Sequence, residues 1–150
     1  MTEIKKSKVL SFCKDFIDQE IQELHAEIKK VKEDAASETK SSMGDKYETG
    51  REMMMQEEIK LTKRLENLLK QKVSIETIDS KPHDVIKNGS FIKTDQSTFL
   101  IATALGVFSI EEKQIFVISQ SAPLAKEMMG KKGGDSISFN GRKQEIISVC

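Results

Sequence analysis

The sequence predicts an α+β protein in which a long antiparallel helical coiled-coil hairpin is followed by a small antiparallel β-sheet with one short helix. Two observations predict this class. In the first half, apolar residues at helical spacing form two stripes that mirror each other about Asp45. From Lys81-Pro82 onward, short β-branched and aromatic runs alternate with turn residues. We therefore expect a hairpin domain over residues 1–80, with an acidic tip near 41–48, and a sheet domain over residues 81–150.

The first helix is predicted over about residues 4–38. Its apolar stripe follows the spacing of one helix face and is flanked by Lys, Glu, Asp and Gln, the stripe residues being Leu10, Cys13, Ile17, Ile21, Leu24, Ile28, Val31 and Ala35. A helix of roughly 35 residues is about 50 Å long. An isolated helix of this kind is marginal in water, so it needs a partner along its length.

The second helix, predicted over about 46–76, supplies that partner. Its apolar residues meet those of the first helix in mirrored order about a fold point between Gly44 and Asp45, pairing Ala35 with Met54, Ile28 with Leu61, Leu24 with Leu65, and Ile21 with Leu68. Met55, Ile59, Leu69 and Val73 form a second apolar row. Glu58 and Lys72 stand where we expect hydrophobic residues, and coiled-coil packing tolerates such exceptions.

The second half reads as strands, one short helix and a closing hairpin. The apolar runs are Val85-Ile86, Phe91-Ile92, Phe99–Ile101, Val107-Phe108 and Ile115–Ile118, with turns predicted at Gly89, Asp95-Gln96, Gly106 and Glu111-Glu112. A short helix begins near Pro123, with Ser121 as its predicted cap, and ends at Gly130. Asn140-Gly141 predicts a two-residue turn in the last hairpin.

Composition excludes several classes of protein. The 150 residues are 37% hydrophobic and 32% charged, which is typical of a folded chain rather than a long disordered one. The formal net charge of zero argues against a general nucleic-acid binder. No apolar run approaches the roughly 20 residues that cross a bilayer, and the N-terminus has no secretory pattern. We expect a cytoplasmic protein with no membrane contact and with Cys13 and Cys150 reduced.

Asp45 and Glu48 are the candidate functional residues. Three residues apart at a helix start, their carboxylates can reach one small volume, and carboxylate oxygens suit Mg²⁺. The same Asp-x-x-Glu pattern is a capping box that satisfies free amides of the second helix, and spacing alone leaves both interpretations open. Two carboxylates fill only part of an octahedral shell, so a metal role requires further ligands from another molecule.

Gly44-Asp45-Lys46-Tyr47-Glu48, between two long helices, resembles the Gly-Asp-x-x-Glu tip of the bacterial Gre (GreA and GreB) transcript cleavage factors, a superfamily of transcription elongation factors. The second half is similar to their C-terminal domain at Ser121-Ala122-Pro123-Leu124-Ala125-Lys126 and Met129-Gly130-Lys131-Lys132. The resemblance covers essentially the whole chain in the right order.

This resemblance implies an FKBP-like C-terminal domain and a coiled coil that enters the secondary channel of RNA polymerase. There, Asp45 would be the main ligand of an Mg²⁺ shared with the polymerase, and Glu48 would contact the metal or its water, so that backtracked RNA is cleaved. The tip would then contact the RNA 3′ end. The factor would be no enzyme and hold no cofactor of its own, since it only lends ligands to the polymerase active site. Because the two helices of the hairpin pair with each other, we expect a monomer.

One departure from the family keeps alternatives open. The family pattern Asn-Ala-Glu-Tyr after the tip is replaced by Thr49-Gly50-Arg51-Glu52, and Gly inside a helix costs about 1 kcal/mol. The roles of Tyr47, Gly50 and Arg51 therefore stay open. The alternatives are a regulator that occupies the secondary channel without cleavage, and a coiled-coil adaptor unrelated to polymerase.

Other candidate sites are weaker. We interpret Met53-Met54-Met55 as core packing under the tip, and Lys131–Asp135 as a turn before the last hairpin. His25 and His83 lack metal-ligand spacing. Cys13 has no neighbouring His in sequence, which argues against thiol catalysis.

Overall fold

The computed structural model describes residues 4–38 and 44–150. It contains two long helices, then a sheet and one short helix, so the predicted fold class is confirmed. The chain forms two compact units, one of Asp15–Val73 and one that joins the described residues up to Lys14 to Ser74–Cys150. The boundary that we expect between residues 80 and 81 stays a prediction. None of the described helices is long and apolar enough to cross a membrane.

Helix α1 spans Lys6–Glu38 and helix α2 spans Gly44–Glu76. Within the unit of Asp15–Val73 they run antiparallel, because Asp18 pairs with Lys72 at 2.9 Å and Lys32 pairs with Glu58 at 3.6 Å. Both pairs are symmetric about residue 45, in agreement with the predicted fold point. The seam between the helices buries the predicted apolar stripes, including Ile17, Ile21, Leu24, Leu61 and Leu68.

The second apolar row of α2 is exposed, with 44–59% of the surface of Met55, Ile59, Leu69 and Val73 in solvent. The interpretation of Met53-Met54-Met55 as core packing is wrong for two of the three, because Met53 and Met55 are exposed and only Met54 is partly buried. Successive residues of an α-helix point about 100° apart, so three consecutive side chains cannot all face one partner helix.

Six strands form a mixed sheet in the order β3-β4-β2-β1-β6-β5. Their bounds are β1 Phe91–Thr94, β2 Thr98–Ala102, β3 Gly106–Ile110, β4 Lys113–Ser119, β5 Ser136–Phe139 and β6 Arg142–Val149. Four neighbouring pairs are antiparallel, as expected, and β2 with β4 is parallel. Val85-Ile86 forms no strand; instead Ile86 is buried and its amide donates to the Lys131 carbonyl oxygen at 2.8 Å.

One face of the sheet packs under helix α3, which spans Pro123–Met128. Ala125 and Met128 of α3 join a buried cluster with sheet residues that include Ile92, Phe99, Ile101, Ile137 and Ile146. The predicted cap is wrong: the residue preceding the helix is Ala122, with no side-chain cap bond. The Ser121 hydroxyl instead lies 2.9 Å from the Ser119 hydroxyl, and the two share a hydrogen bond.

The opposite face of the sheet packs against the start of α1. Leu100, Ile115 and Val117 alternate with the residues of the first face and are buried. Phe108 shares their face through its register with Ile115, and its ring meets the Phe12 ring edge-on with centroids 5.2 Å apart. The beginning of α1 therefore belongs to the hydrophobic core of the sheet unit.

Cys13 is fully buried near the start of α1, as predicted for a small apolar thiol. Burial raises the pKa of the Cys13 thiol to about 11. Cys150 is exposed, and both cysteines are free.

Candidate functional site

The predicted acidic tip lies where α2 begins. The helix starts at Gly44, so the backbone carries Asp45 and Glu48 in its first residues, three positions apart and on one side of the helix. Residues 41–43 of the predicted tip lie outside the described residues, and so do the side chains of Asp45, Tyr47 and Glu48. The metal-ligand and capping roles of the two carboxylates both stay predictions.

The N-terminal end of α2 is a favourable place for negative charge. The unpaired amides of a first helical turn carry partial positive charge, which stabilises nearby carboxylates by about 0.3–1 kcal/mol each at the surface. This physical effect supports either interpretation of Asp45 and Glu48, because it acts on a carboxylate whether or not it binds a metal.

The segment Thr49-Gly50-Arg51-Glu52 does not interrupt the helix. Helix α2 continues through Gly50, which is partly buried, and Arg51, which is exposed. Continuous helix is compatible with Gly at a cost of about 1 kcal/mol relative to Ala. Gly50 therefore lowers the intrinsic helix stability of the first turns of α2.

The described residues hold no group of three or more His, Cys, Asp or Glu side chains arranged for a metal ion. His25 is exposed on α1. His83 belongs to the sheet unit, where its Nδ1 lies 2.7 Å from the Ser90 hydroxyl oxygen. Burial and the nearby ammonium groups of Lys6 and Lys87 lower the pKa of His83, with Asp79 acting in the opposite direction.

The predicted turn at Lys131–Asp135 is confirmed. The Lys132 amide donates to the Asp135 carboxylate at 3.0 Å, and the Asp135 amide donates to the Lys132 carbonyl oxygen at 3.0 Å. These bonds close the loop on itself before β5. The two glycines therefore serve a structural turn.

A cavity of about 460 Å³ lies within the sheet unit and was not predicted from the sequence. Its described walls carry the ammonium-bearing side chains Lys5, Lys6, Lys93 and Lys113. The remaining wall is formed by Ile4, Ser7, Ser80, Pro82, Phe91, Thr98, Ser148 and Cys150. A second cavity of about 450 Å³ shares Lys93, Thr98 and Lys113 with it.

Strand register explains why these lysines meet. Lys93 of β1 lies opposite Thr98 of β2 and Ser148 of β6, so the three side chains share one face of the sheet. Thr98 is in register with Ile115, and Lys113 precedes Ile115 by two residues, which puts Lys113 on that face too. The start of α1 packs on the same face and adds Lys5 and Lys6. No local sequence signal brings these four positions together.

Lys6 is a buried cation, with 6% of its surface exposed. Its Nζ donates to the carbonyl oxygens of Lys81 at 2.9 Å and Cys150 at 3.3 Å. Burial lowers the pKa of Lys6, and Lys87 adds to this, while Asp79 and Cys150 act in the opposite direction. Two of its three N–H donors are thus used within the described residues.

Comparisons with known proteins give matches among solved structures only. No protein-family model matches the chain, and no curated protein matches it. The chain is similar to the GreA factor homolog 1 (Gfh1) protein of Thermus thermophilus, with 14% identity over 91% of this chain and 94% of that one and a TM-score of 0.38. It is also similar to a structure of the transcription factor Gfh1, with 17% identity over 91% and 92% of the two chains and a TM-score of 0.37. For Gfh1 of Thermus aquaticus the identity is 14%, the coverage 90% and 92%, and the TM-score 0.35.

Proposed function

We propose that this protein is a Gre-like transcription elongation factor that binds the secondary channel of RNA polymerase and stimulates Mg²⁺-dependent cleavage of backtracked RNA. The observation that carries the proposal is the sequence Gly44-Asp45-Lys46-Tyr47-Glu48 at the start of the second helix of an antiparallel hairpin.

The hairpin consists of two long helices held together by a buried apolar seam. Each helix has 33 residues, which corresponds to about 50 Å at 1.5 Å per residue. Leu24, Leu61 and Leu68 are 3–8% exposed in the seam, and burying such side chains contributes about 1.5–3 kcal/mol each. The exposed ion pairs along it contribute at most about 1 kcal/mol each, so apolar packing contributes more to the stability of the hairpin than these ion pairs do.

The carboxylates match the chemistry of a shared metal. Mg²⁺ prefers oxygen ligands in an octahedral shell and usually takes one or two carboxylates, with waters and phosphates completing the shell. Asp45 and Glu48 would fill that part, and the polymerase and its RNA would supply the remaining ligands. When bound, the metal would activate a water for phosphodiester hydrolysis. The protein thus assists a polymerase reaction and is not itself the enzyme.

A cleavage assay on purified, backtracked polymerase complexes tests the proposal. With Mg²⁺, the wild-type protein should release short 3′ RNA fragments, and Asp45→Asn should abolish the release while still binding core polymerase. Glu57→Gln is the matched control, because Glu57 is an exposed carboxylate on the same helix and outside the described ion pairs. Unchanged cleavage by Asp45→Asn would refute the metal-ligand role, and no binding to polymerase would refute the whole proposal.

A second candidate function is regulation of the channel without cleavage. The observation that favours it is Thr49-Gly50-Arg51-Glu52, which replaces the family pattern directly after the tip. Such a regulator would displace a cleavage-competent factor from polymerase and release no fragments. Competition with that factor in the same assay distinguishes the two functions.

A further inference from the structure

We propose that the lysine-lined cavity of the sheet unit binds the diphosphate or triphosphate group of a small molecule. The cavity lies in the unit that holds the sheet, whereas Asp45 and Glu48 belong to the hairpin unit. The proposal therefore stands or falls independently of polymerase binding.

The charge of the cavity selects an anion. Four lysines line it, and no aspartate or glutamate is among its described lining residues. Lys5, Lys93 and Lys113 belong to none of the described ion pairs, which are Lys8–Glu111, Lys32–Glu58, Arg64–Glu20 and Lys72–Asp18. The charge of Lys6 is partly offset by Asp79 and Cys150, so the other three lysines supply most of the attraction for an anion. Several like charges around one space repel each other, and a bound polyanion removes that repulsion.

Hydrogen-bonding capacity points to phosphate oxygens. Lys6 has one N–H donor left after its bonds to Lys81 and Cys150 within the described residues. The hydroxyl groups of Ser7, Ser80, Thr98 and Ser148 provide further donors in the same walls. Phosphate groups offer several charged acceptor oxygens, and hydrogen bonds between charged groups are about twice as strong as neutral ones.

The size and the apolar part of the cavity favour a small molecule over a nucleic-acid strand. About 460 Å³ falls within the roughly 300–1,000 Å³ of ordinary ligand pockets. Ile4, Pro82 and Phe91 supply an apolar wall beside the lysines, which suits the base or sugar of a nucleotide. A nucleoside triphosphate would satisfy both parts of the cavity, and inorganic pyrophosphate only the cationic part.

The position of α1 adds to the attraction for an anion. Lys6 and Ser7 belong to its first turn, and the positive end of a helix dipole favours negative charge nearby. The lysines of two strands complete the arrangement from the sheet side, so the cationic groups come from three elements. A ligand held by all three would tie the start of α1 to the sheet.

Isothermal titration calorimetry of the full chain with pyrophosphate, ATP and adenosine tests the proposal. We expect pyrophosphate and ATP to bind with Kd below about 1 mM and adenosine not to bind. ATP binding tighter than pyrophosphate would mean that the apolar wall contributes, and equal affinities would mean that the phosphates suffice. No binding of either phosphate compound, or equal binding of adenosine and ATP, would overturn the proposal.

Variants locate the binding. Lys93→Gln combined with Lys113→Gln should weaken ATP and pyrophosphate at least about tenfold, since each lysine provides a charge-assisted hydrogen bond. Lys126→Gln is the matched control, because Lys126 is exposed on α3 and does not line the cavity. Equal losses in the double variant and the control would overturn the assignment to this cavity.

A measurement on the wild-type chain guards against a variant that fails to fold. Pyrophosphate should shift the amide NMR signals of Phe91, Thr98 and Ser148 and leave those of α3 unchanged. Shifts confined to other residues would overturn the proposal. Binding of a single-stranded RNA that pyrophosphate cannot displace, with no such shifts, would replace the small molecule with a nucleic-acid partner and overturn it as well.

Discussion

Replacing Glu112 with glycine should stabilise the sheet unit, because glycine adopts the left-handed backbone conformation at this position without steric strain. The loop between β3 and β4 has two residues, because Ile110 pairs with Lys113, and Glu111 and Glu112 have φ angles of 52° and 67°. Two positive φ angles in a two-residue hairpin loop define a type I′ turn, which favours Asn-Gly. Glu112 is exposed and makes no described contact, so its replacement tests the backbone alone.

The magnitude follows from two opposing terms. A residue with a Cβ atom in the left-handed region costs roughly 1–2 kcal/mol. Glycine removes that cost but loses about 0.5–1 kcal/mol more conformational entropy on folding. Glu112→Gly should therefore raise the free energy of unfolding by about 0.5–1 kcal/mol, which corresponds to about 1–4 °C in Tm for a chain of this size.

The last hairpin provides the matched control. Its turn residues Asn140 and Gly141 have φ angles of 51° and 76°, and a Cβ added at Gly141 would meet no atom within 4 Å. Gly141→Ala should therefore destabilise by a similar amount through φ alone. Urea unfolding followed by circular dichroism measures both as shifts of the midpoint at constant m-value. A lower midpoint for Glu112→Gly, or a higher one for Gly141→Ala, would refute the reasoning.

Two further predictions concern buried side chains. The Cys13 thiol has an ordinary pKa of 9.0 and a folded pKa of about 11, so its stabilisation is fully present below pH 9 and is lost as the pH rises to about 11. The loss is about 3 kcal/mol, and urea unfolding between about pH 8 and 11 should show a shallower decline for Cys13→Ala than for the wild type; parallel declines would contradict this role. In the hairpin, Leu24→Ala should lower the free energy of unfolding by about 2–4 kcal/mol because Leu24 is 3% exposed, whereas Leu69→Ala, at 44% exposure, should cost less than about 1 kcal/mol. Similar losses in these two leucine variants would mean that the buried seam does not stabilise the hairpin.

Helices and strands were predictable where the pattern of apolar residues is local and strong. The mirrored stripes predicted both long helices, their antiparallel order and a fold point at residue 45, because a period of 3.6 residues leaves a mark on every turn. The strands at Phe91–Thr94 and Lys113–Ser119 were predicted from β-branched and aromatic runs. The sequence predicted a turn at Glu111-Glu112. The left-handed backbone of both residues is required by the two-residue hairpin loop and is not favoured by glutamate.

Where a side chain has more than one available partner, its local chemistry did not determine which partner it takes. Ser121 has the right chemistry for a helix cap, yet its hydroxyl bonds to Ser119 and the helix begins after Ala122. Glu58 and Lys72 interrupt the apolar stripe of α2, and each finds an opposite charge on α1 instead. Asp45 and Glu48 were identified from their spacing and from a family resemblance, and their role stays a prediction.

The sequence by itself determined the order and type of the elements except at Val85-Ile86, as well as the fold point of the hairpin and the buried state of Cys13. These features depend on periodicity and residue chemistry within a few turns of chain. Tertiary structure alone decided that β2 and β4 run parallel and that Lys6, Lys93 and Lys113 share one cavity. The physical reason is that strand register and helix packing bring together residues far apart in the chain. The sequence around one lysine does not indicate which other lysines will lie beside it.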